Sequence, residues 1–105
     1  MPASSTDSNE PPPWRIDSYA QFHEAYQRLT RRDGQLKRAI DTMMERIERD
    51  PLVGDPKTGA LRGLRSTHVA RHWVIVWELR PVVVNRALLS KLEEVWFYDC
   101  YHHPE

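Results

Sequence analysis

Six side chains that suit acid–base chemistry or phosphate binding lie in the second half of this 105-residue chain: Arg65, His68, Arg71, His72, His102 and His103. Histidine, whose pKa in water is about 6.5, can accept or donate a proton near neutral pH. The planar guanidinium of arginine matches the oxygens of a phosphate. Together these groups can cleave RNA through its own 2′-OH, which needs a base, an acid and cationic donors but no metal or cofactor.

The element that must position these groups is a strand from His72 to Leu79. Side chains of a strand point alternately to its two faces, and this segment alternates in that way. One face carries Trp73, Ile75, Trp77 and Leu79, and the other carries His72, Val74, Val76 and Glu78. The pattern predicts a strand whose core face is rich in aromatic residues.

Whether the histidines converge depends on how this strand pairs with the preceding one. If Ala70 and Arg71 form a two-residue loop, His68 lies opposite Trp73 on the core face. If the loop has three residues and begins one residue earlier, His68 lies opposite His72 on the other face. Only the second register gathers both histidines in one site, and we favour it.

The charge of the chain is zero overall, which is unusual for a nucleic-acid-binding protein. Its distribution is uneven, however. Between Lys57 and Lys91 there are seven basic residues and a single acid, Glu78. The region of the candidate site is therefore locally basic, as phosphate binding requires.

The composition, with 40% hydrophobic and 29% charged residues, is typical of one globular domain. We expect a disordered tail rich in Pro and Ser at residues 1–13 and a single domain at residues 14–105.

The chain has no apolar run of about 18 residues and no secretory signal, so a membrane span is not expected. A single cysteine, Cys100, fits a reducing cytoplasm, and we interpret it as a buried core residue.

Two amphipathic helices are predicted before the strands. Their apolar stripes are Tyr19, Phe22, Tyr26 and Leu29, and then Leu36, Ile40, Met43 and Ile47. Asp17 or Ser18 is predicted to cap the first helix and Asp33 the second. The break at residues 30–34 is short, so the two helices form an antiparallel hairpin.

The remaining elements complete an α+β fold. Trp14–Ile16 is a candidate short first strand, and Pro51 ends the second helix. After a glycine- and proline-containing loop, strand character resumes near Ala60, and residues 94–102 form a β-prone last strand. We predict a short first strand, an antiparallel helical hairpin and a mainly antiparallel three-stranded sheet, with residues 81–90 as an irregular insertion.

The order of these elements and several motifs resemble the RelE/ParE superfamily of toxins from type II toxin–antitoxin systems, above all its YafQ-like and YoeB-like members. The motifs are L-R-G-L-R-S-x-H at residues 61–68, H-W-V-I-V-W at residues 72–77, and the terminal Tyr101-His102-His103. The resemblance implies a cytoplasmic endoribonuclease that cuts mRNA, typically on the ribosome, and is inhibited by a cognate antitoxin.

The resemblance also implies functional residues. The YafQ-like pattern maps onto His68, His72, Trp73 and His102, with His72 standing where the family has an acid. At the C-terminus, Tyr101 and His102 match the YoeB-like Tyr-His-Tyr ending, and His103 replaces its last tyrosine. The insertion at residues 81–90 and the neutral charge also depart from the family pattern.

The hypothesis for the site follows from the residues and the resemblance together. The expected catalytic residues are Arg65, His68, His72 and His102, and the expected RNA- or phosphate-binding residues are Arg62, Arg71, Trp73 and His103. Two alternatives remain open: a protein of the same fold that inhibits a protein target, as gyrase-poisoning members do, or a degenerate interaction module. A zinc site built from a histidine pair is disfavoured because the chain has no cysteine pair and no recognised metal-ligand spacing.

Overall fold

The computed structural model describes residues 11–103, which contain two helices and five strands. In chain order these are β1 (Arg15–Ser18), α1 (Ala20–Thr30), α2 (Gly34–Arg49), β2 (Asp55–Pro56), β3 (Leu64–Val69), β4 (Trp73–Arg80) and β5 (Glu94–His102). Short 3₁₀ turns cover Gly59–Leu61 and Arg86–Lys91. The predicted disordered tail, residues 1–13, lies mostly outside the described residues.

The strands form one sheet in the order β1-β5-β4-β3-β2. The central β3, β4 and β5 pair antiparallel, as predicted, whereas β1 pairs parallel to β5. Sequence reasoning missed the two-residue β2, which pairs with β3 and lies in the predicted loop. The α+β prediction is confirmed, and the sheet is wider than the predicted three strands because β1 and β2 extend its two edges.

The core lies between the helices and one face of the sheet. Phe22 of α1 and Ile40 and Ile47 of α2 are buried against Ile75 and Trp77 of β4. We call this the helix-side face and the opposite one the open face. The predicted alternation of β4 is confirmed, because this core contains Ile75, Trp77 and Leu79 but neither Val74 nor Val76, which are buried on the opposite face. Within residues 11–103, neither helix is long and apolar enough to cross a membrane.

The caps of the two helices differ in how well the sequence predicted them. Asp33 caps α2 as predicted, its Oδ1 accepting a hydrogen bond from the N–H of Leu36 at 2.9 Å. The predicted cap at Asp17 or Ser18 is wrong, because both residues belong to β1. Tyr19 precedes α1 instead and is held by its backbone N–H, which donates to the carbonyl of Phe97 at 2.8 Å.

The insertion between β4 and β5 is irregular, as predicted. Val82–Val84 have no regular secondary structure, and the 3₁₀ turn Arg86–Lys91 follows them. Arg86 ties the insertion to the end of α2 through two hydrogen bonds of 2.8 Å to the carboxylate of Asp50. The expected start of strand character near Ala60 is wrong, because Gly59–Leu61 form a 3₁₀ turn and β3 begins at Leu64.

Candidate active site at the hairpin end of the sheet

The turn between β3 and β4 decides where the histidines lie. Val69 pairs with Trp73 and His68 pairs with Val74, so the turn consists of the three residues between Val69 and Trp73. Both predicted registers are therefore wrong. The physical reason is that the Val69 side chain is buried in the core beside β4, which moves the turn one residue along and takes His72 out of the strand.

The backbone of this turn is strained. Ala70 and Arg71 have φ angles of 49° and 75°, in the left-handed region that residues other than glycine rarely adopt. Each such residue costs about 1–2 kcal/mol. Strained backbone of this kind tends to occur at functional sites. The turn leaves Arg71 exposed, and no hydrogen bond or ion pair holds its side chain among residues 11–103.

On the open face, His68 lies close to His103. The centroids of their rings are 5.8 Å apart and the rings are nearly perpendicular, at 83°. Both side chains are exposed. His68 shares the open face with Val74, with which it pairs, so the prediction that it points away from Trp73, Ile75 and Trp77 is confirmed.

On the other side of the turn, His72 lies close to His102. Their ring centroids are 6.1 Å apart, and the ring of His102 also meets the Trp73 ring edge to face at 4.9 Å. His102 pairs with Trp73 and therefore projects toward the helix-side face, at its rim. The structure thus gathers all four predicted histidines at one end of the sheet, but divides them into two pairs on opposite sides.

The end of β5 is tied to the turn through the backbone. The N–H of His103 donates to the carbonyl of His72 at 2.6 Å, and the N–H of His72 donates to the carbonyl of Ala70 at 2.8 Å. These bonds bring the last described residues of the chain against the β3–β4 turn. The position of His103 relative to His68 therefore depends on β5 pairing with β4.

Two predicted arginines do not join the histidines. Arg65 pairs with Trp77 and points to the helix-side face, where it donates to the carbonyls of Leu52 (2.7 Å), Val53 (3.2 Å) and Gly54 (3.0 Å). Its partial burial lowers its pKa from the usual arginine value. Arg62 is exposed and lies at the far end of β3. The expectation that Arg65 acts beside the histidines does not agree with this geometry.

Tyr101, which the resemblance matches to the YoeB-like ending but which is not among the predicted site residues, lies beside the histidines. Tyr101 pairs with Val74, on the strand edge opposite His68, so His68, Val74 and Tyr101 form one row across the open face. The next row along the same face contains Asp99. The alternation of β5, with Cys100 buried between these two residues, is the signal that would have placed them on the open face.

At the opposite end of the open face, Tyr19, Glu78 and Arg80 form a hydrogen-bonded network. Tyr19 Oη donates to Glu78 Oε1 at 2.7 Å, and Arg80 donates to the same carboxylate oxygen at 3.0 Å. The Arg80 guanidinium lies 4.2 Å from the centroid of the Trp96 ring. The hydrogen bond to Glu78 is the main cause of a raised pKa at Tyr19. Because Arg80 is already paired with Glu78, its guanidinium is not free to bind a phosphate.

A metal site requires several ligand side chains in one place, and a reactive thiol requires a lowered pKa. Residues 11–103 contain no group of three or more His, Cys, Asp or Glu side chains that could hold a metal ion. Cys100 is buried, as expected, and burial raises the pKa of its thiol to about 12. A thiol with so high a pKa is mostly protonated at neutral pH and is a poor nucleophile.

Comparison with known proteins gives structural relatives only. No protein-family model and no curated protein sequence matches the chain. Among solved structures, the YoeB/ParE toxin from Agrobacterium tumefaciens is 15% identical, with a TM-score of 0.65 over 86% of this chain and 99% of that one.

Two further solved structures have a similar fold. The toxin–antitoxin complex RelBE2 from Mycobacterium tuberculosis is 14% identical, with a TM-score of 0.65 over 90% of this chain and 95% of the matched chain. The YoeB dimer from Staphylococcus aureus is 18% identical, with a TM-score of 0.62 over 88% and 99%. At these identities the comparisons establish the fold, and it is the fold that the resemblance implied.

Proposed function

We propose that this chain, which has the fold of the YoeB, ParE and RelE toxins, is the toxin of a type II toxin–antitoxin system and cleaves mRNA in the cytoplasm. The observation that carries the proposal is the gathering of four histidines and Arg71 around the β3–β4 turn. The partners are then a cognate antitoxin and mRNA, in the family's usual setting on the ribosome.

The chemistry assigns one proton transfer to each histidine of the open-face pair. His68 accepts the proton of the ribose 2′-OH while the 2′-oxygen attacks the adjacent phosphorus. His103 donates a proton to the departing 5′-oxygen. The products are a 2′,3′-cyclic phosphate and a 5′-OH, and the base and acid exchange protonation states. The ring centroids are 5.8 Å apart, so both imidazoles can reach oxygens of one phosphate.

The neighbouring side chains supply charge and positioning. Arg71, exposed at the tip of the turn, is placed to stabilise negative charge that develops on the phosphate. Tyr101 flanks the pair from the other side of Val74. His102 packs edge to face on Trp73, and we assign these two rings to holding a neighbouring base.

The direct test is cleavage of a single-stranded RNA by the purified chain in the presence of a metal chelator. Cleavage should leave a 2′,3′-cyclic phosphate, and a single 2′-deoxynucleotide at the cut position should abolish it there. Induced expression in bacteria should arrest growth with breakdown of mRNA, and the paired substitution His68→Ala with His103→Ala should relieve both effects. Intact RNA in purified and ribosome-containing reactions would contradict the proposal.

A second candidate is a toxin of the same fold that acts by binding a protein target. The zero net charge and the histidine at position 72, where the resemblance expects an acid, favour it over a typical RNA-cleaving member. This alternative predicts growth arrest without RNA breakdown, and no relief from the paired histidine substitution.

A further inference from the structure

A groove of about 490 Å³ opens at the end of the β3–β4 pair that lies away from the histidines. Leu64 and Leu79 contribute apolar surface to it, and the insertion residues Val82–Val84 form one of its walls. From Arg65, which also lines the groove, to the start of the β3–β4 turn at Ala70 the chain spans about 17 Å. The groove is therefore a surface distinct from the candidate active site.

The wall formed by Val82–Val84 has the properties of a strand without a partner. The exposed fractions of the three side chains are 58%, 3% and 71%, which is the alternation of a strand lying on a core. Asn85, which follows, is extended, with φ −151° and ψ 166°. Within residues 11–103, no hydrogen bond engages the backbone N–H or C=O groups of these three valines.

The rim of the groove is basic. Lys57 and Arg62 line it, and no acidic residue does. Neither side chain makes an ion pair or hydrogen bond with another described residue. An exposed strand edge of β-branched residues is a template for pairing with another chain, and alternate side chains of the incoming strand give specificity. Free cations beside it favour an incoming strand that carries carboxylates.

We propose that Val82–Val84 is a docking edge that pairs with an extended segment of a protein partner, apolar at alternate positions and acidic at its ends. That this partner is the antitoxin rests on the proposed function. A second copy of this chain is disfavoured as the occupant, because a symmetric contact places the same surface on both subunits and would bring the two basic rims together.

The test is fluorescence anisotropy of the full chain with a labelled nine-residue peptide, Val-Thr-Val-Thr-Val with two glutamates at each end. We expect saturable binding that weakens as salt is raised. Replacing the glutamates by lysines, or methylating alternate backbone nitrogens of the peptide, should weaken binding at least tenfold. Val84→Asp should weaken it to a similar extent, as should Arg62→Glu.

Leu88→Asp is the matched control, since it adds the same charge to a nearby exposed apolar residue that does not line the groove. It should bind the peptide like the wild type. Circular dichroism melting should show that both aspartate variants are folded, because both replaced side chains are on the surface. Equal binding by the wild type and Val84→Asp would overturn the proposal, as would equal binding of the acidic and basic peptides.

Two further outcomes separate this inference from the proposed function. If the chain cleaves RNA but does not bind the peptide, the proposed function holds and the docking-edge proposal is wrong. If the chain binds the peptide but leaves RNA intact, the docking-edge proposal holds and the catalytic assignment is wrong. A dimer in sedimentation that Val84→Asp dissociates, with no peptide binding, would assign the edge to a second copy and overturn the proposal.

Discussion

The β3–β4 turn and the Arg65–Trp77 pair near the other end of the two strands differ in whether their side chains are already hydrogen-bonded. At the turn, His68, His103 and Arg71 are exposed, and their side chains make no hydrogen bond within the described residues. At the other end, Arg65 donates to three backbone carbonyls and Trp77 donates to the carbonyl of Pro51 at 2.9 Å. Residue type alone therefore does not identify a functional arginine. An arginine whose N–H groups already donate to the protein stabilises the fold, and only one with free N–H groups can bind a substrate.

The loop after α2 shows why the second end is structural. Its carbonyls at residues 51–54 accept hydrogen bonds from the side chains of Arg65 in β3 and Trp77 in β4. Gly54, with φ 73°, passes so close to β3 that an added Cβ would collide with the carbonyl of Ser66. The loop is therefore clamped to the sheet by two side chains and by the close approach of its backbone.

The largest expected effect tests the turn. His68→Ala should lower the single-turnover rate of RNA cleavage by about 10²–10⁴-fold at neutral pH, because a positioned acid or base contributes that much. The urea midpoint should not change, since His68 is exposed. His102→Ala is the comparison, and we expect a smaller loss because its ring faces the helix side. The reverse ranking would assign proton transfer to the His72–His102 pair.

The next effect tests the clamped end. Arg65→Ala should lower the free energy of unfolding by about 1–3 kcal/mol, because three carbonyls lose a charged donor. Arg71→Ala, the matched control at the turn, should leave stability unchanged and slow RNA cleavage instead. Urea denaturation of both variants measures the contrast. Equal stability of the two variants would show that Arg65 does not hold the loop against the sheet.

A smaller effect concerns strain in the turn. Ala70→Gly should raise the free energy of unfolding by roughly 0.5–1 kcal/mol, because relief of the left-handed conformation outweighs the added freedom of the unfolded chain. Ala87→Gly, at a position without positive φ, should lower it. Thermal melts of both variants provide the measurement, and a destabilised Ala70→Gly would refute the assignment of strain.

The smallest effect concerns the tie between the insertion and α2. The hydrogen bonds from Arg86 hold the pKa of Asp50 below its usual value. A carboxyl with a lowered folded-state pKa stabilises the protein above its unfolded-state pKa, about 3.9, and loses that effect as pH falls through the folded-state pKa. Asp50→Asn should therefore lower the melting temperature slightly at pH 7 and have no effect near pH 2. Asp55→Asn is the control, because the exposed Asp55 side chain makes no hydrogen bond within residues 11–103. A loss of melting temperature in Asp50→Asn that does not depend on pH would contradict the ion pair between Asp50 and Arg86.

Local signals predicted much of the fold. The spacing of Phe22, Leu36, Ile40 and Ile47, the Asp33 cap and the alternation of β4 all depend on neighbours within a few residues, so they can be read from the chain. The bounds of β5 agree with the predicted 94–102 for the same reason. The Asp17 or Ser18 cap failed because β1 continues through both residues to pair with β5, which is distant in sequence.

For the candidate site, the sequence by itself determined which residue types are available and that His68 and Arg71 lie near a strand turn. Only the tertiary structure decided that His68 meets His103, that His72 meets His102, and that Arg65 serves the loop after α2. The physical reason is that side-chain direction changes with every one-residue shift in strand register. That register depends on burying Val69 and on the pairing of β5 with β4, contacts that no local pattern records.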